Sequence, residues 1–537
     1  MTCVTLDPMN KNKLFRRILI GGMLLAAAGV IVSVIHHYQL RAAVNQYRAE
    51  LKAKGDLVEL SQAAPPLVAP DKDGTALLMQ AIELLNKDSS LLTTNYATCM
   101  KAIAPGRAMI ASRQPEVTDF ETTNSWEDVV AVLQQNQKAL DLLSGMVERP
   151  AVDFKMQYGK GFEDISSFAV LNLGAVKKSV QYLSAAGLAN LHAGDSAAAV
   201  TNTRSMLVLT AAVQDERLMI SELVSLAMVS FANSLTWEIL QSRDITKAQL
   251  AGLQSDYEKL NFLTGYEHAL TMEQCCGDIT LAHWRQSDAA LQMELDDWTS
   301  ARAKFGLTDA PPGPLVHVRQ TLQMFLWRYW WSYSDELRAL RGYEVLQQTV
   351  RDIKKPDGCL AAFQHQEAGL KGLGLTKMED EPGSPTYAYS LFSEPVELHT
   401  FLSKSISVIA GAGQRVMMFE SARQIVITAI ALKRYQLQHG HWPDQLAELV
   451  PQFLAAIPQD AMTSQPLPYH RQSDGTFLLY SVGEDGVDNG GDPTLTKDTG
   501  STSFYWLNPK AHDWVWPQAA TPAEIDAFYQ RELHRRH

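Results

Sequence analysis

An uninterrupted apolar run near the N-terminus constrains the fold of everything that follows it. Between residues 18 and 35 no side chain carries a charge. As an α-helix that rises about 1.5 Å per residue, this run is about 27 Å long, close to the thickness of the hydrocarbon core of a bilayer. We therefore predict a transmembrane signal-anchor helix over residues 14–36.

The charges that precede the apolar run predict its orientation. Four cations precede it and no acidic residue lies within it; the cations are Lys11, Lys13, Arg16 and Arg17. Because cationic flanks stay on the cytoplasmic side, we predict that residues 1–13 form a cytoplasmic tail and that the bulk of the chain is periplasmic. The protein is then anchored in a bacterial inner membrane. A cleaved signal peptide is the alternative, but its apolar core is usually shorter, at about 7–15 residues.

Composition excludes several classes of protein. The chain has 537 residues, of which 46% are hydrophobic and 20% charged, so it is globular and too long for a single core. Its net charge is -12 and no basic patch is evident, which argues against nucleic-acid binding. Five cysteines are too few for a disulfide scaffold, so buried free thiols are expected.

The long middle of the chain has the apolar spacing of α-helices. A helix and a proline-containing linker occupy residues 37–75, and an α-helical domain occupies residues 76–385. A helix pair that turns at Gly194 and Asp195 predicts an αα-hairpin. Aromatic residues crowd the stretch 325–343, which indicates core and a domain contact; an interfacial belt or a ligand box are the alternatives.

No catalytic motif occurs in the sequence, so no catalytic residue is predicted. Glu222 is the one residue of interest, because it lies inside the strongly apolar helix over residues 220–240. A buried carboxylate needs a partner, and we expect that partner to be Arg204 or Arg217.

The C-terminal part, residues 386–537, has the pattern of a small α+β domain. A helix over residues 416–439 is followed by Gly440, which suits a helix end. Asp444 is placed to cap a short helix over residues 445–450. Strands at 467–471 and 476–481 then form an antiparallel hairpin through the Asp-Gly turn at 473–475.

An acidic, glycine-rich loop follows this hairpin. Four carboxylates fall within nine residues, and glycines occupy positions 483, 486, 490 and 491; the carboxylates are Glu484, Asp485, Asp488 and Asp492. Carboxylates this close repel one another unless they are solvated or bridged by a cation. Calcium suits such a loop, because it takes six to eight oxygen ligands and glycine lets backbone carbonyls turn inward.

The order of these elements from residue 422 to residue 492 resembles the globular domain of the type II secretion major pseudopilin. That resemblance implies calcium bound by Asp485, Asp488 and Asp492. The pilin-type N-terminus is missing, since Arg16 and Arg17 lead directly into an apolar run without a glutamate. The whole chain also resembles membrane-anchored proteins of unknown function from planctomycete- and verrucomicrobia-type bacteria.

The sequence therefore predicts a mainly α fold with a transmembrane helix, a large αα-hairpin body and a small pseudopilin-like module. The leading hypothesis is a membrane-anchored extracytoplasmic scaffold or interaction protein with a calcium-stabilised module, serving secretion or envelope assembly. Its partners are the membrane, through the N-terminal helix, and envelope proteins that the sequence does not identify. The alternative is an extracytoplasmic enzyme with a site in a groove of the helical domain, around Glu222 or Trp327–Trp331.

Overall fold

The predicted mainly α fold is confirmed in the computed structural model of the chain. The described residues are 8–56, 59–87, 99–118, 123–293, 296, 321–322, 324–355, 358–375, 403–496 and 506–536. Within them, fourteen α-helices account for most of the chain, and three small sheets contain short strands.

The helices are α1 (Pro8–Lys54), α2 (Leu60–Ala63), α3 (Thr75–Lys87), α4 (Trp126–Gln135), α5 (Gln137–Ser144), α6 (Phe162–His192), α7 (Ser196–Gln214), α8 (Met219–Leu240), α9 (Lys247–Lys259), α10 (Phe262–Gln286), α11 (Ser332–Ile353), α12 (Gly358–Gly372), α13 (Ser403–His439) and α14 (Pro522–Arg536). The strands are β1 (Lys101–Ala104), β2 (Arg107–Met109), β3 (Val117–Thr118), β4 (Thr123–Asn124), β5 (Tyr469–Arg471), β6 (Phe477–Ser481), β7 (Trp514–Val515) and β8 (Gln518–Ala519). A π-helical turn, Trp327–Trp331, directly precedes α11.

The chain divides into two compact units, each assembled from separate stretches. Unit 1 comprises Met1–Val58, Gly277–Glu344 and Leu370–Val408, and unit 2 comprises Glu59–Cys276, Val345–Gly369 and Ile409–His537. The boundary expected at residue 75 falls within unit 2, and the boundary expected at residue 385 lies outside the described residues.

In unit 1, α1 changes its environment along its length. An 18-residue window of this helix has a mean hydropathy of 2.6, and none of that window is buried. Leu24 and Leu25 lie within this part and are 67% and 77% exposed. Further along the same helix, Val44 and Leu51 are buried against Leu340 of α11. A helix with the length and apolarity of a membrane span therefore continues directly into the core of unit 1.

Unit 2 has an α-helical core in which α6, α7 and α8 pack against one another. The predicted helix pair is confirmed: α6 and α7 are joined at Gly194, whose φ is +82°, and Asp195 caps α7 by accepting the Ala198 N–H at 2.9 Å. Helix α8 is also long and apolar enough to cross a membrane, but 67% of its apolar window is buried, which is typical of a core helix.

The C-terminal part of unit 2 matches most of the elements expected from the sequence. Helix α13 ends before Gly440, whose φ is +79°, and β5 pairs with β6 in the predicted antiparallel hairpin. The short helix is a 3-10 helix, Leu446–Leu449. The prediction that Asp444 caps this helix is wrong: the cap is Gln445, whose N–H donates to Glu448 at 3.1 Å.

One sheet connects two regions that are far apart in the sequence. Strand β2 pairs antiparallel with β1 and parallel with β8, and the second pairing aligns Arg107 with Gln518. These strands interrupt the region that the sequence predicts to be helical throughout. They bring Arg107 to the edge of the cleft described below.

Candidate functional site

The three predicted calcium ligands lie on one loop, and each is hydrogen-bonded to nearby groups. The Oδ1 atoms of Asp485, Asp488 and Asp492 accept the N–H groups two residues further on, at 2.8–2.9 Å. Asp488 Oδ1 also accepts the Tyr480 hydroxyl at 2.9 Å. Within the described ranges, no three histidine, cysteine, aspartate or glutamate side chains are grouped to hold a metal ion. Calcium binding therefore stays a prediction.

A buried carboxylate that the sequence reasoning missed organises this acidic loop. Asp513 is fully buried and accepts N–H groups from Gly491 at 2.8 Å and from Asp492 at 2.9 Å. Burial raises the pKa of the Asp513 carboxyl, and these hydrogen bonds counteract that effect. The loop is thus tied to the strand region after residue 512, while Asp485 and Asp488 remain exposed to solvent.

Glu222 lies inside unit 2 and has a different partner from the one expected. Both oxygens of its carboxyl accept Nε2 of Gln214 at 3.2 Å. The predicted pairing with Arg204 or Arg217 is wrong. Arg204 bonds Asp256, and Arg217 donates to the backbone carbonyls of residues 63 and 64.

The surroundings of Glu222 enclose its carboxyl. The residue is 1% exposed, and a Cβ added to Gly265 on α10 would lie 2.4 Å from its Oε2 atom. Burial raises the pKa of Glu222 to about 8, against the lowering effect of the Gln214 hydrogen bond. The Glu222 carboxyl is therefore enclosed between α8 and α10 and shielded from solvent.

The aromatic stretch in unit 1 is partly core and partly surface. Trp327 is fully buried, whereas Tyr329 and Trp330 are exposed. The Trp330 ring lies 5.0 Å from the His36 ring, and His37 Nδ1 lies 3.1 Å from the carbonyl oxygen of Tyr329. Exposed aromatic residues therefore contact α1 at the point where its apolar run ends.

A cleft in unit 2 is a candidate for a ligand site. Its volume is about 440 Å³, which lies within the range of small-molecule sites in proteins. The end of α8, one face of α13, the β5–β6 turn and the β2–β8 edge form its walls. The residues that give it chemical character are Arg107, Lys433, Gln436, Trp442, Phe477 and Trp516.

The two cations of the cleft differ in how they are neutralised. Arg107 makes a two-pronged ion pair with Glu524, at 2.9 and 3.0 Å, and donates to Gln518 Oε1 at 2.8 Å. The Arg107 contact lowers the pKa of Glu524 to about 2. For Lys433, no acceptor or acidic partner is present among the described residues. Burial lowers the pKa of the Lys433 ammonium, and the positive charge of Arg113 lowers it further.

Aromatic rings also line the cleft. The indole N–H of Trp442 donates to the carbonyl oxygen of Gly475 at 2.9 Å, which fixes this ring beside the hairpin turn. Its ring lies edge-on to Phe477 with the centroids 4.8 Å apart. Trp516 is buried and lies edge-on to Trp506 at 5.6 Å. This hydrogen bond and these ring contacts fix the positions of the aromatic side chains.

The sequence contains a weak signal for this site. Ala429, Lys433 and Gln436 recur at intervals of four and three residues, so they share one face of α13. A lysine in an otherwise apolar helix face marks a change of environment. The other walls come from segments hundreds of residues away, and no local pattern reveals them.

Comparison with known proteins adds no assignment, because the chain matches no protein-family model, no curated protein and no solved structure.

Proposed function

We propose that this chain is a single-pass membrane protein of the bacterial envelope that presents a ligand-binding body on the periplasmic side. The observation that carries the proposal is the change of environment along α1. Its first part exposes large apolar side chains around the helix, and its second part packs in the core of unit 1. Apolar surface of this extent is unfavourable in water, and a bilayer removes it from water.

The aromatic residues beside α1 support the same interpretation. Tyr329 and Trp330 lie next to His36 and His37, where the apolar run gives way to polar sequence. Trp and Tyr side chains are enriched at the boundary between hydrocarbon and water, since one end of each ring system is apolar and the other is polar. We place the periplasmic surface of the bilayer at this level of α1.

The ligand-binding part of the proposal rests on the cleft of unit 2. An unneutralised ammonium and an aromatic wall suit the binding of a ligand, and a cleft lined in this way suits an interaction protein. We retain calcium binding by Asp485, Asp488 and Asp492 as a proposed stabilising contact of the same unit. The proposed role in secretion or envelope assembly rests on the resemblance to the pseudopilin alone.

Fractionation of cells that produce the full-length protein tests the anchor. We expect the wild-type protein to remain in the membrane pellet after an alkaline carbonate wash. Replacement of Leu25 and Val30 by arginine places two charges in the apolar run, each costing about 2.5–3.5 kcal/mol at the centre of a membrane helix. That double variant should leave the membrane fraction. Leu67→Arg is the matched control, because Leu67 is fully exposed and lies outside the run.

A fusion to alkaline phosphatase after residue 64 tests the orientation, since this enzyme is active only outside the cytoplasm. Extraction of the wild-type protein by carbonate would refute the anchor. An inactive phosphatase fusion, with the anchor intact, would refute the periplasmic placement.

A further inference from the structure

The ammonium group of Lys433 is the cation in the cleft that no described acid neutralises. The side chain is half-buried on α13, and no hydrogen-bond acceptor or acid contacts it among the described residues. Acidic residues outnumber basic ones in the chain as a whole, whose net charge is -12, yet none of those described is paired with Lys433. A desolvated cation without a counter-charge is unfavourable, and an anion that enters the cleft removes that penalty.

The other charged groups of the cleft are Arg107 and Asp474. Arg107 is held by Glu524 in a two-pronged contact. Asp474 is exposed at the hairpin turn; its Oδ1 accepts the N–H of Thr476 at 2.9 Å and the Thr476 hydroxyl at 2.6 Å, and it forms no ion pair among the described residues. Lys433 is therefore the unpaired cation of the cleft, which suits a ligand with one anionic group.

Gln436 adds hydrogen-bond donors beside this charge. It lies one helical turn after Lys433 and lines the same cleft. Its carboxamide has no partner among the described residues. An ammonium and an amide N–H on one helix face can donate to two oxygens of the same group, which is the arrangement that a carboxylate or phosphate requires.

The size and the walls of the cleft define the rest of the ligand. Trp442 and Phe477 line it, and hydrogen bonding of the Trp442 indole keeps the ring in place without a ligand. A volume of about 440 Å³ is larger than a free inorganic anion needs. The space beside the aromatic rings suits a ring-sized apolar body.

We propose that the cleft binds an organic anion, with its carboxylate or phosphate group on Lys433 and Gln436 and a ring-sized apolar body against Trp442 and Phe477. This inference rests on the ligand-binding half of the proposed function and is independent of the membrane anchor.

Ligand-observed NMR on the full-length protein in lipid nanodiscs tests the proposal. The probes are phenylacetate, phenyl phosphate, the neutral phenylacetamide and inorganic phosphate. We expect one or both aromatic anions to bind at least tenfold more tightly than phenylacetamide and inorganic phosphate. Lys433→Met should weaken that binding at least tenfold, and Gln436→Leu should weaken it less. Lys247→Met is the matched control, because Lys247 lies on α9 and bonds Gln438 outside the cleft at 3.3 Å.

Each outcome decides part of the proposal. Equal binding to wild type and Lys433→Met overturns the site. Equal binding of phenylacetate, phenyl phosphate and phenylacetamide refutes recognition of an anionic group, although the cleft would still bind ligands. If inorganic phosphate binds as tightly as the aromatic anions, the aromatic body of the ligand is refuted. Binding of one aromatic anion alone identifies carboxylate or phosphate as the group recognised.

A second measurement covers the case in which the Lys433→Met variant does not fold. Trace acetylation of the wild-type protein, read by mass spectrometry, reports how accessible the Lys433 amine is. The anion that binds should slow acetylation of Lys433 at least fivefold and leave Lys247 unchanged. No protection of Lys433 by either aromatic anion overturns the proposal. Neither measurement depends on whether the carbonate wash extracts the protein.

Discussion

Replacement of the enclosed carboxyl of Glu222 by an amide should change how the stability of the protein depends on pH. Glu222→Gln keeps the size of the side chain and its contact with Gln214, but it removes the titration. Burial is the main cause of the raised pKa of Glu222, and the nearby Glu420 charge adds to it. The folded protein therefore keeps a proton on Glu222 at pH values where the unfolded chain has released it.

The sign and size of the effect follow from this difference. Between the ordinary value of 4.5 and the folded-state value of about 8, folding requires proton uptake, so stability falls as pH rises through this window. At about 1.36 kcal/mol per unit, the wild-type protein loses on the order of 3 kcal/mol by pH 7. Above pH 8 the loss approaches roughly 5 kcal/mol as an upper limit. The amide variant does not undergo this loss.

Denaturant unfolding of the full-length protein in detergent, followed by circular dichroism at pH 5 and pH 8, measures the difference. The free energy of unfolding of Glu222→Gln, relative to wild type, should rise by roughly 3 kcal/mol between these two pH values. Glu367→Gln serves as the matched control, because Glu367 is exposed on α12. Parallel pH dependence in wild type and Glu222→Gln would refute the argument that burial holds the proton.

Two further predictions concern the same unit. Gly265→Ala should destabilise the protein by about 1–3 kcal/mol in denaturant unfolding, since the new methyl group would lie 2.4 Å from Glu222 Oε2. Gly252→Ala, whose nearest neighbour would be 3.8 Å away, should be neutral or stabilising by up to about 1 kcal/mol; equal losses in both variants would contradict the close contact. Millimolar calcium should raise the melting temperature of EDTA-treated protein, and Asp488→Asn should reduce that rise. A melting temperature that calcium does not change would end the calcium hypothesis.

The parts of the fold that the sequence predicts are those set by local chemistry. Gly194 and Asp195 supply a turn and a helix cap, and Gly440 supplies a helix end, so these features are visible in a few adjacent residues. The β5–β6 hairpin has an Asp-Gly turn between two strands. In contrast, β2 has three residues and β8 has two, which is too short for an alternating pattern.

The candidate site depends on contacts that no short window of sequence contains. Arg107 and Glu524 are separated by 417 positions, yet their ion pair leaves Lys433 as the unpaired cation of the cleft. The predicted arginine partner of Glu222 is wrong for a similar reason. Two arginines nearby in the sequence are suitable by charge, but packing brings the neutral Gln214 to the carboxyl instead. Burial and pairing are properties of the assembled unit.

The unbroken course of α1 has a mechanical consequence. A helix of 47 residues is about 70 Å long and has no joint between its apolar part and the part that packs on α11. A change in bilayer thickness alters the tilt of a spanning helix. In the proposed membrane-anchored protein, such a tilt would rotate unit 1 about the membrane surface, because Val44 and Leu51 are buried in the core of unit 1. The helix would then act as a lever as well as an attachment, and lipid composition would set its angle.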